Sequence, residues 1–302
     1  IHISGTVYAA VVCDSGAITQ GQVITFTIDS DGNISNTLID SLQIDTTMLS
    51  PHVIHIYGDY YAVVYQGADE DGWIATFTID STGAIGAAVI DTLEFDTVFA
   101  YKPRVIQVSG TMYAVCYQGA SGVFYISTFN ISNVGVIDNI VTDTHSWNTT
   151  AGYGSDIVKV SGTVYLVAYG DINNDGQLLT LTIANDGTIA ANPNIDTLLF
   201  DSSAGGAEDF RILRISGDIY AIAYNGTASL CPTVITVSVD TSGQIAAAVS
   251  DTLAMTNFAS SQANGIGFAL IFGDIYIVIF RRTDVTGVNL ASFTISTAGV
   301  IS

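Results

Sequence analysis

Basic side chains are nearly missing from this chain. Seven Lys and Arg stand against 28 Asp and Glu in 302 residues, a net charge of −21. Such a surface excludes nucleic acid as a partner, because neutralising phosphates takes Lys and Arg. It repels anionic lipid heads for the same reason. Cysteine is scarce too: Cys13, Cys116 and Cys231, without any CxxC spacing. That excludes a thiolate metal site and leaves free, mostly buried thiols as the expectation. No run of 18 apolar residues occurs, so direct membrane insertion is not expected. No secretory signal is visible. Stretches of helical period are absent as well, as are the G-x-S-x-G, H-E-x-x-H and phosphate-loop motifs.

What the chain has instead is a repeat. Val108-Ser109-Gly110-Thr111-Met112-Tyr113 is one of six copies, centred on Gly5, Gly58, Gly110, Gly162, Gly217 and Gly273. A tyrosine follows three residues later each time: Tyr8, Tyr61, Tyr113, Tyr165, Tyr220 and Tyr276. The spacings, by subtraction, are 53, 52, 52, 55 and 56 residues. Self-similarity on this scale, built from four short strands per copy, marks a propeller blade. In the second copy the expected strands are 52–57, 60–65, 73–79 and 87–95. Val, Ile, Thr, Tyr and Phe fill them, and Gly or Asp punctuates. A turn glycine recurs between third and fourth strands at Gly32, Gly83, Gly135, Gly187, Gly243 and Gly299. Blade three reads as irregular around Asp138 to His145. The reading is one all-β domain over 1–302, a six-bladed β-propeller of four antiparallel strands per blade. Blades start near 1, 52, 104, 156, 210 and 266, and the last is incomplete. The chain opens and stops inside a repeat, so it reads as part of a longer polypeptide.

Three stretches carry a family resemblance: Ile3-Ser4-Gly5-Thr6-Val7-Tyr8-Ala9, Thr25-Phe26-Thr27-Ile28-Asp29 and Ile90-Asp91-Thr92-Leu93. Across the whole chain the pattern resembles the repeat β-propellers of archaeal and bacterial surface proteins, of the YVTN or surface-layer kind. That resemblance implies display on a cell surface and binding or adhesion. Acidity and a Ser/Thr-rich composition agree with an extracellular or cell-surface location.

Candidate site residues follow from the two-residue period of a strand. Three before each key glycine stand His2, His55, Gln107, Lys159, Arg214 and Leu270, flanked by apolar neighbours. This polar set is expected to face a central channel. The other bases, Lys102, Arg104, Arg211, Arg281 and Arg282, map with His52 to the channel mouth. Cations gathered there would focus an anionic ligand, and Arg suits bidentate capture of carboxylate. Phe99, Tyr101, Trp147, Tyr153 and Phe258 would add stacking platforms for sugar rings. A second candidate is Asp171-Ile172-Asn173-Asn174-Asp175-Gly176, the first half of a D-x-N-x-D-G calcium loop. Asp171, Asn173, Asp175 and Gln177 would supply the oxygens. The functional expectation is a non-catalytic binding or adhesion module, with a glycan or surface protein at the channel mouth. Two alternatives stand beside it. A polysaccharide lyase or glycoside hydrolase would show a close carboxylate or His–Tyr pair. A structural subunit of a surface layer or filament would show apolar patches on two opposite faces.

Overall fold

The computed structural model describes residues 1–13, 20–147, 153–202, 208–226, 231–256, 263–282 and 287–302, with the side chains of 263, 264 and 282 left aside. Its fold is an all-β six-bladed β-propeller. Among the described residues there are six antiparallel sheets, five of four strands and a last one of three. The expected shortfall in the last blade is therefore found.

By contacts the chain divides into two units, the first comprising Ile1–Ala120, Tyr125–His145 and Asn185–Thr188. Blade 1 is β1 (His2–Ser4), β2 (Val7–Cys13), β3 (Gly21–Thr27) and β4 (Asp40–Asp45). Blade 2 is β5 (Leu49–Tyr57), β6 (Tyr60–Gln66), β7 (Gly72–Thr78) and β8 (Asp91–Asp96). Blade 3 is β9 (Tyr101–Ser109), β10 (Met112–Gln118), β11 (Phe124–Asn130) and β12 (Asp143–Trp147). Each key glycine has positive φ, for example Gly58 at 55° and Gly110 at 54°. A side chain is strained there, which is why the hairpin repeats glycine. Two details depart from expectation. The outer strand of blade 2 begins at Asp91 rather than at residue 87, because an Ile79–Ile85 bridge closes the turn first. The irregular stretch of blade 3 still forms its outer strand, beginning at Asp143.

The second unit comprises Ser121–Phe124, Ser146–Ala184 and Ile189–Ser302. Blade 4 is β13 (Ser155–Ser161), β14 (Val164–Gly170), β15 (Gly176–Thr182) and β16 (Asn194–Asp201). Blade 5 is β17 (Glu208–Ser216), β18 (Ile219–Asn225), β19 (Pro232–Ser238) and β20 (Asp251–Ala254). Blade 6 is β21 (Ala263–Phe272), β22 (Ile275–Arg282) and β23 (Val288–Thr294).

Within each unit, successive blades pack face to face by one rule. Residues two, four and six after the key glycine form a trailing face; residues three, five and seven form a leading face. Ala62 and Val64 of blade 2 thus cluster with Tyr113, Val115 and Tyr117 of blade 3. Val164, Leu166 and Ala168 of blade 4 cluster with Tyr220, Ile222 and Tyr224 of blade 5. The second strands of blades 2 and 5 are apolar on both faces because both faces are covered.

Polar bonds repeat with the packing. A third-strand threonine donates its hydroxyl proton to the carbonyl of the next turn glycine. The pairs are Thr25–Gly83 at 2.6 Å, Thr76–Gly135 at 2.6 Å and Thr128–Gly187 at 2.8 Å in the first unit. Thr180–Gly243 at 2.5 Å and Thr236–Gly299 at 2.6 Å repeat it in the second. The aspartate of the Ile-Asp-Thr-Leu motif accepts a backbone N–H from the following blade. Ile85 donates to Asp40 and Ile137 to Asp91, both at 2.9 Å; Ile245 donates to Asp196 and Ile301 to Asp251, both at 2.8 Å. These threonine hydroxyls and turn carbonyls are thereby paired. Two cysteines are buried as expected, Cys116 and Cys231, whereas Cys13 is exposed.

Candidate functional site

Four of the polar side chains three before a key glycine bond to their own hairpin. His2 Nε2 donates to Gly5 O at 2.9 Å, and His55 Nε2 to Gly58 O at 2.7 Å. Gln107 Nε2 donates to Gly110 O at 2.7 Å, and Arg214 Nε to Gly217 O at 2.8 Å. Each also lies against the recurrent tyrosine. His2–Tyr8 and His55–Tyr61 have ring centroids 5.0 Å apart, and Gln107 Nε2 reaches the Tyr113 hydroxyl at 3.3 Å. Lys159 Nζ is 5.6 Å from the Tyr165 ring, and the Arg214 guanidinium 5.7 Å from the Tyr220 ring. A donor of any shape thus caps the turn and rests on an aromatic face.

Six before the glycine, His52 and Asp156 make cross-blade contacts. The Val105 N–H donates to His52 Nδ1 at 3.2 Å, and the Ile212 N–H to Asp156 Oδ2 at 2.8 Å. Arg104 is buried and donates from Nη1 to Pro103 O at 3.1 Å; Arg211 does so to Phe210 O at 2.6 Å. Eight before the glycine the backbone turns left-handed in five blades, at Ser50, Lys102, Gly154, Asp209 and Gly265. Lys102 lies 5.0 Å from the Tyr101 ring, and Phe99 6.4 Å from it. Arg281 is exposed near the end of β22. Phe258 lies outside the described residues, as does the Arg282 side chain.

The Asp171 turn is held by N–H donors. Asp171 Oδ1 accepts from the Asn173 and Asp175 amides at 2.8 and 3.0 Å, and Oδ2 from Gln177 Nε2 at 3.1 Å. Asn174 has φ of 59°. Burial, then the charges of Asp171 and Asp201, raise the Asp175 carboxyl above its ordinary value. Among the described residues, no group of three or more His, Cys, Asp or Glu is placed to hold a metal ion.

Beside that turn opens a cleft of about 310 Å³, lined by Trp147, Tyr169, Asp171, Gln177, Leu179, Asn194 and Thr197. Its aromatic wall is closely packed. Trp147 stacks on Phe124 at 5.9 Å and meets Tyr169 edge-on at 6.1 Å. The Trp147 indole N–H is buried and finds no acceptor. Burial, then the Asp171 charge, pushes the Tyr169 hydroxyl up to about 12. Asn194 and Thr197 of the lining are exposed. The arrangement recurs in the first unit as a cleft of about 340 Å³, where Asp96, Tyr117, Tyr125 and Thr144 supply the polar lining. Tyr117 and Tyr125 stack at 5.6 Å. Tyr117 and Tyr169 each stand seven residues after their key glycine, and Tyr125 and Gln177 each fifteen after. The same tyrosine donates to an outer-strand carboxylate as Tyr65–Asp45 at 2.9 Å and Tyr224–Asp201 at 3.1 Å. Sequence reasoning named Trp147, Asp171 and Gln177 for separate sites. It missed Tyr169, Asn194 and Thr197, which the second recurrent tyrosine would have flagged.

No family model and no curated protein matches the chain. Solved structures do resemble it. A hypothetical selenium-binding protein from Sulfolobus tokodaii matches with a TM-score of 0.63 at 9% identity, over 98% of this chain and 73% of its own. A lectin from Burkholderia pseudomallei matches with a TM-score of 0.52 at 11% identity, over 100% of this chain and 98% of its own. A Hadza microbial sialidase matches with a TM-score of 0.52 at 9% identity, over 99% and 67%. At such identities the likeness is one of fold.

Proposed function

We propose that the chain is a non-catalytic carbohydrate-binding module of a secreted or surface protein, taking a glycan in the clefts between blades. The observation that carries this reading is the Trp147–Tyr169 cleft. It brings a packed aromatic wall, a carboxylate and two side-chain amides to one depression. A sugar ring needs that combination: an apolar face to stack and paired donors and acceptors for hydroxyls. The lectin likeness is consistent with it. The inner-strand cations fit less well, since their polar heads already serve their own hairpins. A glycan array on folded protein, followed by calorimetry on the best hit, tests the reading. Asn194→Ala combined with Thr197→Val, both exposed, is expected to weaken binding about tenfold, which is roughly 1.4 kcal/mol. An array without signal, or an unchanged Kd, retires it.

Calcium enters this reading at the Asp171 turn. Gln177 Nε2 would have to release Asp171 before the oxygens could meet a cation. Affinity is therefore expected to be weak, on the order of 10⁻⁴–10⁻³ M. Absence of both heat and a rise in melting temperature at millimolar calcium would count against it.

A further inference from the structure

The Trp147–Tyr169 cleft carries acid and, among its described lining residues, no base. Its walls come from β12, β14, β15, β16 and the turn between β14 and β15. All seven Lys and Arg lie on other strands: the inner strands β9, β13 and β17, and the end of β22. Asp171 is part of the lining. Asp175 closes the same turn, donating its amide to Asp171 Oδ1 and accepting the Asp171 amide, both at 3.0 Å. The charges of Asp171 and Asp201 act on the Asp175 carboxyl, and the Asp171 charge acts on the Tyr169 hydroxyl. Asp175 Oδ1 is buried and meets no donor. Negative charge therefore gathers at this aromatic cleft without a counter-charge in its lining.

The first-unit cleft has the same character. Asp96, Tyr117 and Tyr125 line it, and no Lys, Arg or His is among its described lining residues. Asp45 and Asp201 stand likewise against Tyr65 and Tyr224. A carboxylate beside the second recurrent tyrosine is thus common to blades 2 to 5.

Such a cleft suits a sugar that brings a positive charge. Uronic and sialic acids add a second negative charge and are repelled. A neutral sugar leaves the carboxylates uncompensated. A protonated amine donates charge-assisted hydrogen bonds to a carboxylate and is attracted to aromatic faces. Asp171 Oδ2 can accept such a bond, since its present donor, Gln177 Nε2 at 3.1 Å, is neutral and the weaker partner.

We propose that the Trp147–Tyr169 cleft selects an amino sugar, a hexosamine whose free, protonated amine sits against Asp171. This rests on the carbohydrate-binding reading of that cleft and narrows it.

The test is a fluorescence titration of Trp147, made the sole indole by Trp73→Phe, with EDTA present to exclude calcium. The ligands are tetramers of glucosamine, N-acetylglucosamine, glucose and galacturonate, and calorimetry accompanies each titration. The free-amine tetramer is expected to show a Kd about tenfold below that of the N-acetylated one. Its binding should weaken with salt and as pH rises through the titration of its own amine. Galacturonate should bind least. Asp171→Asn keeps an oxygen for the turn amides and is expected to bring the two affinities together. Asp31→Asn, which removes one exposed acid of the β3–β4 turn, is expected to change neither. Circular dichroism checks that the variants fold. Equal affinities, or tighter binding of the N-acetylated or glucose tetramer, overturn the amine preference and leave the carbohydrate reading standing. So does a preference that survives Asp171→Asn, or one lost equally in Asp31→Asn. Neither fluorescence change nor heat with any tetramer overturns both.

Discussion

Each third-strand threonine spends its hydroxyl on the blade after its own. Thr76 is fully buried, and its bond to Gly135 O at 2.6 Å satisfies a carbonyl that water does not reach. Thr76→Val keeps the shape and deletes the donor. Urea denaturation should show a loss of about 1–3 kcal/mol, the cost of a buried acceptor left unpaired. Thr76→Ser, which restores the hydroxyl, should recover most of it. A valine variant as stable as wild type would show that the bond contributes little. The residues of the Ile-Asp-Thr-Leu motif act alike, since Asp40, Asp91, Asp196 and Asp251 each tie down one amide of a neighbour. Sequence repetition marked all of these positions. It could not say that their partners lie about fifty residues away, because a strand pattern reports only which face a side chain takes.

At the scale of the strand hairpin, turn glycines separate two effects. Gly32 and Gly83 share a positive φ, 83° and 91°. A Cβ at Gly83 would come within 2.9 Å of Ile39 Cδ1 and 3.0 Å of Val7 Cγ1, while at Gly32 space is open. Gly32→Ala therefore pays backbone strain alone, and Gly83→Ala adds overpacking. The difference in unfolding free energy is expected to be about 1–3 kcal/mol. Equal losses at both sites would mean that blade 1 does not press on that turn. The polar residue before each key glycine belongs to the same hairpin. Alternation correctly separated it from its apolar neighbours. The bond to its own glycine carbonyl depends on how a left-handed turn aims that carbonyl, which no periodicity encodes.

For the whole molecule the recurrent tyrosines set the alkaline limit. Burial raises Tyr165 and Tyr169 to about 12. Tyr65, Tyr117 and Tyr224 are driven further in the same direction, by burial first and by Asp45, Asp96 and Asp201 beside them. The unfolded chain releases these protons near pH 10, while the folded protein keeps them. Stability is thus fully present below about pH 10 and falls as pH rises toward the folded values. Denaturation midpoints measured across that range should decline steeply, and less so for Tyr65→Phe. A flat profile would contradict the burial of the hydroxyls.

Fold class, blade number, the shortened last blade and the position of every hairpin glycine were determined by the sequence itself. Each arises from local periodicity and from backbone angles that only certain residues accept. The clefts were decided by tertiary structure. Trp147, Tyr169 and Asn194 belong to different strands, and their meeting depends on how one blade leans on the next.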